Sequence, residues 1–317
     1  MNTRPLGRSG LKIAPVVFGA NVFGWTVDQP TALKLLDRFV GGGLNAIDTA
    51  DVYSRWVTGN KGGESETMIG HWLKASPARR KEVVLITKVG MAAGPDGKGL
   101  SAASIAAGVD ASLRRLNTDR IDLYLSHKPD PATPIEETLR GHEALIKAGK
   151  VRAIGSSNYS AAGLREALDT SAAMNLPRYE VEQPEYNLSE RGKFEGPLRD
   201  LCLAEGVGVI VYYSLASGFL SGKYRSKSDL KGRARGSAVE KHMTERGFRI
   251  LGALDAIAQS HNAKPAEVAL AWLIAREGVT APIASATSVE QVDSLIRASQ
   301  LELAAAEIRA LTDASAV

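Results

Sequence analysis

Short runs rich in Val, Ile, Leu and Thr alternate with amphipathic stretches from one end of the chain to the other. The runs at 16–19, 45–48, 83–89, 121–126, 151–156, 179–183, 208–212 and 281–284 have the length and composition of strands. Between them, stretches such as 31–40, 65–73, 101–116, 134–148, 161–168, 196–204, 249–260 and 289–298 carry the apolar spacing of helices. Such alternation is the pattern of βα units around a parallel sheet. Eight strands favour a closed (β/α)8 TIM barrel of the α/β class over an open doubly wound sheet, and no G-x-G-x-x-G follows the first strand. The whole chain, 1–317, then reads as a single barrel domain. Residues 1–14 form an N-terminal extension, and the loop 54–64 and the segment 223–249 are long excursions at the C-terminal face.

Composition narrows the class further. With 44% hydrophobic and 23% charged residues in 317, the chain is long enough for a large core, although length alone does not choose between one domain and two. Its single cysteine, Cys202, excludes an intramolecular disulfide and a cysteine-based zinc site, and reads as a small buried apolar residue. No metal is implied. Residues 1–10 lack the apolar core of a secretory signal, and no segment approaches the ~20 apolar residues of a membrane span. A cytoplasmic protein without a membrane partner is the expectation.

The net charge of +4 is unevenly spread. Segment 223–249 holds nine Lys/Arg against three acids, which leaves the rest of the chain net acidic. Nucleic-acid binding would distribute basic and aromatic residues over a surface. One basic loop containing Gly and Ser suits a small anion such as a dinucleotide, or is simply solvated.

In a parallel barrel the active site forms where the strands end. Asp48 and Tyr53 follow the second strand, Lys88 lies near the end of the third, and His127 stands just past the fourth. Together they make a proton-donating device. A tyrosine is a poor acid at neutral pH, and a neighbouring ammonium such as that of Lys88 favours its phenolate and lowers its pKa. Asp48 supplies the counter-charge that a lysine inside an apolar barrel needs. His127 could bind and orient a carbonyl oxygen, or help relay the proton. Taken singly, each has a plain structural reading: a loop cap, a packed ring, an exposed lysine, a satisfied barrel histidine.

The sequence resembles the aldo-keto reductase superfamily over nearly its whole length. RPLGRSGLKI at 4–13, IDTADVY at 47–53, ITK at 86–88 and LYLSH at 123–127 are similar to that family's successive signatures. The resemblance implies NADPH-dependent reduction of a small aldehyde or ketone. Tyr53 is then the general acid/base, Lys88 and Asp48 set its pKa, and His127 orients the carbonyl. IGSSNY at 154–159 resembles the segment that holds the nicotinamide carboxamide, which implies Ser157 and Asn158, with Gln183 completing the contacts and Tyr212 stacking on the ring. SLASGFLSGK at 214–223 resembles the loop over the pyrophosphate, with Ser214, Leu215 and Gly218 in contact and Lys223 supplying charge.

Two departures matter. Relatives place Ser-Pro after the stacking tyrosine, whereas this chain has Tyr213-Ser214, a less constrained backbone. The last βα loop, SATSVEQ at 285–291, offers Ser285, Thr287 and Gln291 to a 2′-phosphate but no Lys or Arg. NADPH remains the expected cofactor over NADH because the basic segment can compensate. Trp25, Trp56 and Tyr53 would give the substrate pocket an aromatic wall.

Two rival functions share the barrel. One is a cofactor-binding regulatory protein with little turnover, like the channel-associated β subunits that resemble reductases. The other is an isomerase or aldolase using Lys88 as a Schiff-base nucleophile.

Overall fold

In the computed structural model, which describes residues 2–91 and 99–316, eight parallel strands close into a barrel. A two-stranded antiparallel hairpin precedes it, β1 (Arg4–Pro5) against β2 (Lys12–Ile13). The barrel strands are β3 (Val17–Gly19), β4 (Ala46–Asp48), β5 (Val84–Val89), β6 (Ile121–Ser126), β7 (Val151–Ser157), β8 (Val181–Gln183), β9 (Gly208–Val211) and β10 (Ala281–Ala284). Each pairs with the next in sequence, and β10 closes on β3. All eight strand runs read from the sequence are present; the sixth is shorter than its apolar run because pairing begins only at Val181.

The helices are α1 (Gln29–Gly41), α2 (Glu64–Ala75), a single turn α3 (Arg79–Glu82), α4 (Ala102–Leu116), α5 (Ile135–Lys147), α6 (Ala161–Met174), α7 (Pro197–Glu205), short α8 (Gly236–Glu240), α9 (Glu245–Ser260), α10 (Pro265–Ala275), α11 (Val289–Ala298) and α12 (Ala305–Ala314). Caps fix several of their starts. Asp28, Ser101, Ser160, Thr244 and Ser288 each accept a hydrogen bond from a backbone N–H in the first turn that follows. Besides the short α3 and α8, two longer helices escaped the sequence pattern. Residues 267–273 of α10 are buried all round, so no amphipathic period marks it. α12 is largely exposed; it docks through Leu311 and Ile308, with Trp272 Nε1 donating to Thr312 Oγ1 at 3.1 Å.

The period of two along each strand sorts side chains between two cores. Val17, Ala46, Val84, Ile86, Leu123, Leu125, Ala153, Val181, Ile210 and Ile283 fill the barrel interior. Phe18, Ile47, Leu85, Val89, Tyr124, Ile154, Val209 and Val211 face outward into the helical layer. The N-terminal extension is part of the inner core, since Leu6, Leu11 and Ile13 of the hairpin join it. Gly7 makes that approach possible. It has φ +58°, and a Cβ there would lie 2.2 Å from the Glu180 carbonyl oxygen.

Candidate active site

The same alternation aims the polar residues at the strand ends. Asp48 is two residues beyond inward Ala46, Lys88 two beyond Ile86, His127 two beyond Leu125 and Gln183 two beyond Val181; Ser157 and Tyr212 hold the same phase on β7 and after β9. Six side chains from consecutive strands therefore meet at the C-terminal mouth of the barrel.

Lys88 is the centre of the cluster and fully buried. Its Nζ donates to Asp48 Oδ1 at 2.6 Å, to the Thr49 carbonyl at 2.7 Å and to the Tyr53 hydroxyl at 3.2 Å. Three acceptors satisfy its three protons. Gln183 Nε2 donates to the second Asp48 oxygen at 2.9 Å, so both carboxylate oxygens are engaged. Burial alone would lower the Lys88 pKa, but the Coulombic attraction and hydrogen bonds of Asp48 and Tyr53 outweigh it and raise the value. Lys88 is thus a stable cation. Burial likewise pushes Asp48 upward, against the pull of Lys88 and Gln183.

Tyr53 corrects the sequence expectation in one respect. Burial is the largest influence on its hydroxyl and raises its pKa above the usual tyrosine value, while Lys88 pulls down and Asp48 pushes up. The ammonium opposes the shift without reversing it. His127, 6.0 Å from the Tyr53 ring between centroids, is driven well below the ordinary histidine range by burial, then by Lys88 and Lys128. It is neutral at pH 7, and its buried Nδ1 has no hydrogen-bond partner.

Beside this cluster lies a second network. Asn158, in the left-handed region at φ +63°, donates from Nδ2 to the His127 carbonyl and to Ser157 Oγ, both at 3.0 Å. Ser157 Oγ donates to the Gln183 carbonyl at 2.8 Å, and the Tyr212 hydroxyl donates to Asn158 Oδ1 at 2.7 Å. Donors and acceptors of amide geometry next to a half-buried aromatic ring suit a carboxamide-bearing heterocycle such as nicotinamide.

The loop after β9 continues outward. Ser214 is buried, and its Oγ donates to the Val211 carbonyl at 3.0 Å, so its hydroxyl proton is turned to its own strand. Leu215 packs against the outer core, Gly218 takes φ +102°, and exposed Lys223 extends over the Tyr224 ring at 5.0 Å. Although no proline stands at position 214, a hydrogen bond from another loop restrains this turn. Tyr213 sits at φ +53°, and Asn187 Nδ2 holds its carbonyl at 3.0 Å. Asn187 carries no motif that would have revealed this role. At the last βα loop, Ser285 Oγ donates to Asn21 Oδ1 at 2.6 Å, and the Thr287 N–H and hydroxyl both donate to Gln291 Oε1, at 2.8 and 3.2 Å. Thr287 and Gln291 are thus tied together at the start of α11, and Ser285 is tied to the loop after β3.

At the mouth, Trp56 meets Tyr53 edge-on with centroids 5.7 Å apart, and Trp25 meets Trp56 at 5.8 Å. Trp25, Trp56 and Tyr53 thus form one row of contacting rings. The basic segment is less uniform than its composition suggested. Arg225 pairs with Asp255, Lys227 with Glu240, and Arg246 and Arg249 donate to backbone carbonyls, so four of the nine cations serve the fold.

The aldo/keto reductase family profile matches residues 15–316. An uncharacterized oxidoreductase of Bacillus subtilis, YrpG, is 35% identical over 318 residues, covering 97% of this chain and 94% of that protein. A probable voltage-gated potassium channel subunit beta of Arabidopsis thaliana is 34% identical, over 94% of this chain and 91% of its own length. Aldo-keto reductase AMT2 of Alternaria alternata is 32% identical, over 98% and 90%. Among the described residues no helix is long and apolar enough to cross a membrane. With a closed eight-stranded parallel barrel and a family match across almost its full length, the chain belongs to the aldo/keto reductase family of NAD(P)H-dependent oxidoreductases acting on carbonyl and alcohol groups.

Proposed function

We propose that this protein reduces a small aldehyde or ketone to the alcohol, reversibly, with NADPH as its preferred cofactor and Tyr53 as the proton donor. The observation that carries the reading is the Tyr53 hydroxyl at 3.2 Å from a lysine that is itself fixed at 2.6 Å on Asp48. When bound, the nicotinamide supplies the hydride.

The chain's own residues do the rest. Burial keeps Tyr53 protonated at rest, so a proton is available at the barrel mouth. As Tyr53 gives it to the carbonyl oxygen, negative charge develops beside the Lys88 ammonium, whose position is set by Asp48 and the Thr49 carbonyl. Neutral His127 cannot be the proton source; it orients the carbonyl by hydrogen bonding. Ser157, Asn158 and Gln183 would hold the carboxamide and Tyr212 the ring face. Ser214, Leu215, Gly218 and Lys223 would follow the pyrophosphate. Ser285, Thr287 and Gln291 would meet the adenosine end, and Lys223, Lys231, Arg233 and Lys241, which make no ion pair among the described residues, would supply positive potential for the 2′-phosphate.

A Schiff-base role for Lys88 is disfavoured, because a lysine kept protonated by Asp48 has no free lone pair. The relatives described as potassium channel subunits support a second reading, a cofactor-binding barrel that docks on a partner with little turnover. Oxidation of NADPH by 4-nitrobenzaldehyde, followed at 340 nm, separates the two. Sustained turnover supports the reductase; stoichiometric cofactor binding without turnover supports the regulatory reading.

A further inference from the structure

Arg235 differs from every other cation of the basic segment. Its guanidinium lies over the Trp25 ring, 5.1 Å from the centroid. Its Nη2 is shielded from solvent and has no hydrogen-bond partner, and no carboxylate among the described residues lies within ion-pair distance. Contrast Arg225, which is exposed and bidentate on Asp255 at 2.8 and 2.7 Å. The titratable groups that act electrostatically on Arg235 are phenols, Tyr213 and Tyr224. Leaving that one nitrogen shielded from water without an acceptor is costly, so the position makes sense where an incoming oxyanion completes it.

Its location says which molecule brings that oxyanion. Trp25, under Arg235, touches Trp56, and Trp56 touches the proton donor Tyr53. Tyr213, 48% exposed at the mouth, is an electrostatic neighbour of both Tyr53 and Arg235. Tyr53 and Arg235 thus stand at the two ends of one wall of aromatic rings, on the side of the mouth formed by the loops after β3 and β4. A molecule with its carbonyl at Tyr53 and a flat or apolar body along Trp56 and Trp25 ends at the guanidinium.

Building on the reductase reading, we propose that Arg235 is a specificity-determining residue for substrates bearing an oxyanion, a carboxylate above all, at the end remote from the carbonyl. Trp25 and Trp56 bind the spacer between the two groups. The physiological substrate class is then an oxo acid with an apolar or aromatic spacer.

Three benzaldehydes sharing one ring provide the test: 4-carboxybenzaldehyde, its methyl ester, and 4-nitrobenzaldehyde. In the wild type, kcat/KM for the acid should exceed that for the ester by at least about tenfold, chiefly through KM, and the gap should narrow with salt. Arg235→Met should bring the acid-to-ester ratio close to 1, and Arg235→Lys should restore part of it, with circular dichroism melts confirming that both variants fold. The Kd for NADPH, read by quenching of tryptophan fluorescence, should hold in both. Equal kcat/KM for acid and ester in the wild type would overturn the proposal. So would a loss in Arg235→Met that is shared by all three aldehydes and accompanied by weaker NADPH binding, because the guanidinium would then serve a cofactor phosphate. Should no aldehyde be turned over, the reductase reading fails separately. Arg235 is still tested in that case by equilibrium binding of acid against ester: tighter binding of the acid that Arg235→Met abolishes supports the anion site, and equal binding removes it.

Discussion

Replacing Lys88 with Met tests the coupled proton device most directly, because a neutral side chain of similar length keeps the packing and deletes the ammonium. At the observed 3.2 Å, and with an effective dielectric constant of about 20, the attraction between the ammonium and a full phenolate is roughly 5 kcal/mol. If about half of that charge has developed at the top of the barrier, the variant loses roughly 2–3 kcal/mol of stabilisation, on the order of a hundredfold in kcat near neutrality. The pH profile should change as well. Burial already raises the Tyr53 pKa, and losing the downward pull of Lys88 raises it further, so alcohol oxidation, which needs the phenolate as base, should move to more alkaline pH. Stability supplies an independent readout. Without Lys88 the buried Asp48 keeps only Gln183, and its folded pKa rises further above its unfolded value. A native state that binds more protons than the unfolded chain loses stability as pH rises between those two values. The Tm deficit of Lys88→Met should therefore grow from pH ~4 upward and shrink when Asp48→Asn is added. In activity, Asp48→Asn alone should be milder, and the double variant should cost less than the sum of the singles. The assays are kcat in both directions over pH 6–10, with thermal melts across the acid range. Strict additivity, or a wild-type pH profile in Lys88→Met, would refute the coupling of Asp48, Lys88 and Tyr53.

Tyr53→Phe should abolish reduction while NADPH binding, measured by fluorescence titration, is nearly unchanged; more than about a tenth of kcat remaining would assign the acid elsewhere. NADPH should bind more tightly than NADH at low salt, with the advantage falling steeply as ionic strength rises, and equal affinities at low salt would detach the basic segment from the cofactor. Glu182 is buried beside Ser156 and the Tyr159 N–H, and burial pushes its pKa from 4.5 to about 8. Because this folded value is raised, Glu182→Gln should gain stability relative to wild type as pH climbs from 4.5 to about 8 and level off above; a Tm difference that is flat with pH would mean that Glu182 is ionised throughout.

The barrel and the placing of Asp48, Lys88 and His127 at strand ends were legible in the sequence because strand periodicity is local; Tyr53 was read from its place in the loop after the second strand, and Gln183 only from the family resemblance. What was not legible depends on contacts between distant segments. Helix α10 hides because tertiary burial covers all its faces, and Asn187 acts on Tyr213 through a single hydrogen bond spanning 26 positions. The net pKa of Tyr53 depends on how deeply it is buried, which no motif states. The basic segment was recognisable by composition, but only coordinates separate Arg225, spent on Asp255, from Arg235, left without an acceptor.

The hairpin that fills the base of the barrel also has a bearing on the order of synthesis. Arg4 Nη1 donates to the carbonyls of Ile274 and Thr280 at 2.9 and 3.4 Å, and Gly7 nestles against Glu180 and Gly208. On the ribosome these early residues emerge long before the partners that bury them exist. Leu6, Leu11 and Ile13 therefore lack part of the surface that buries them until the later strands are made, so full docking of the hairpin is a late event of barrel assembly.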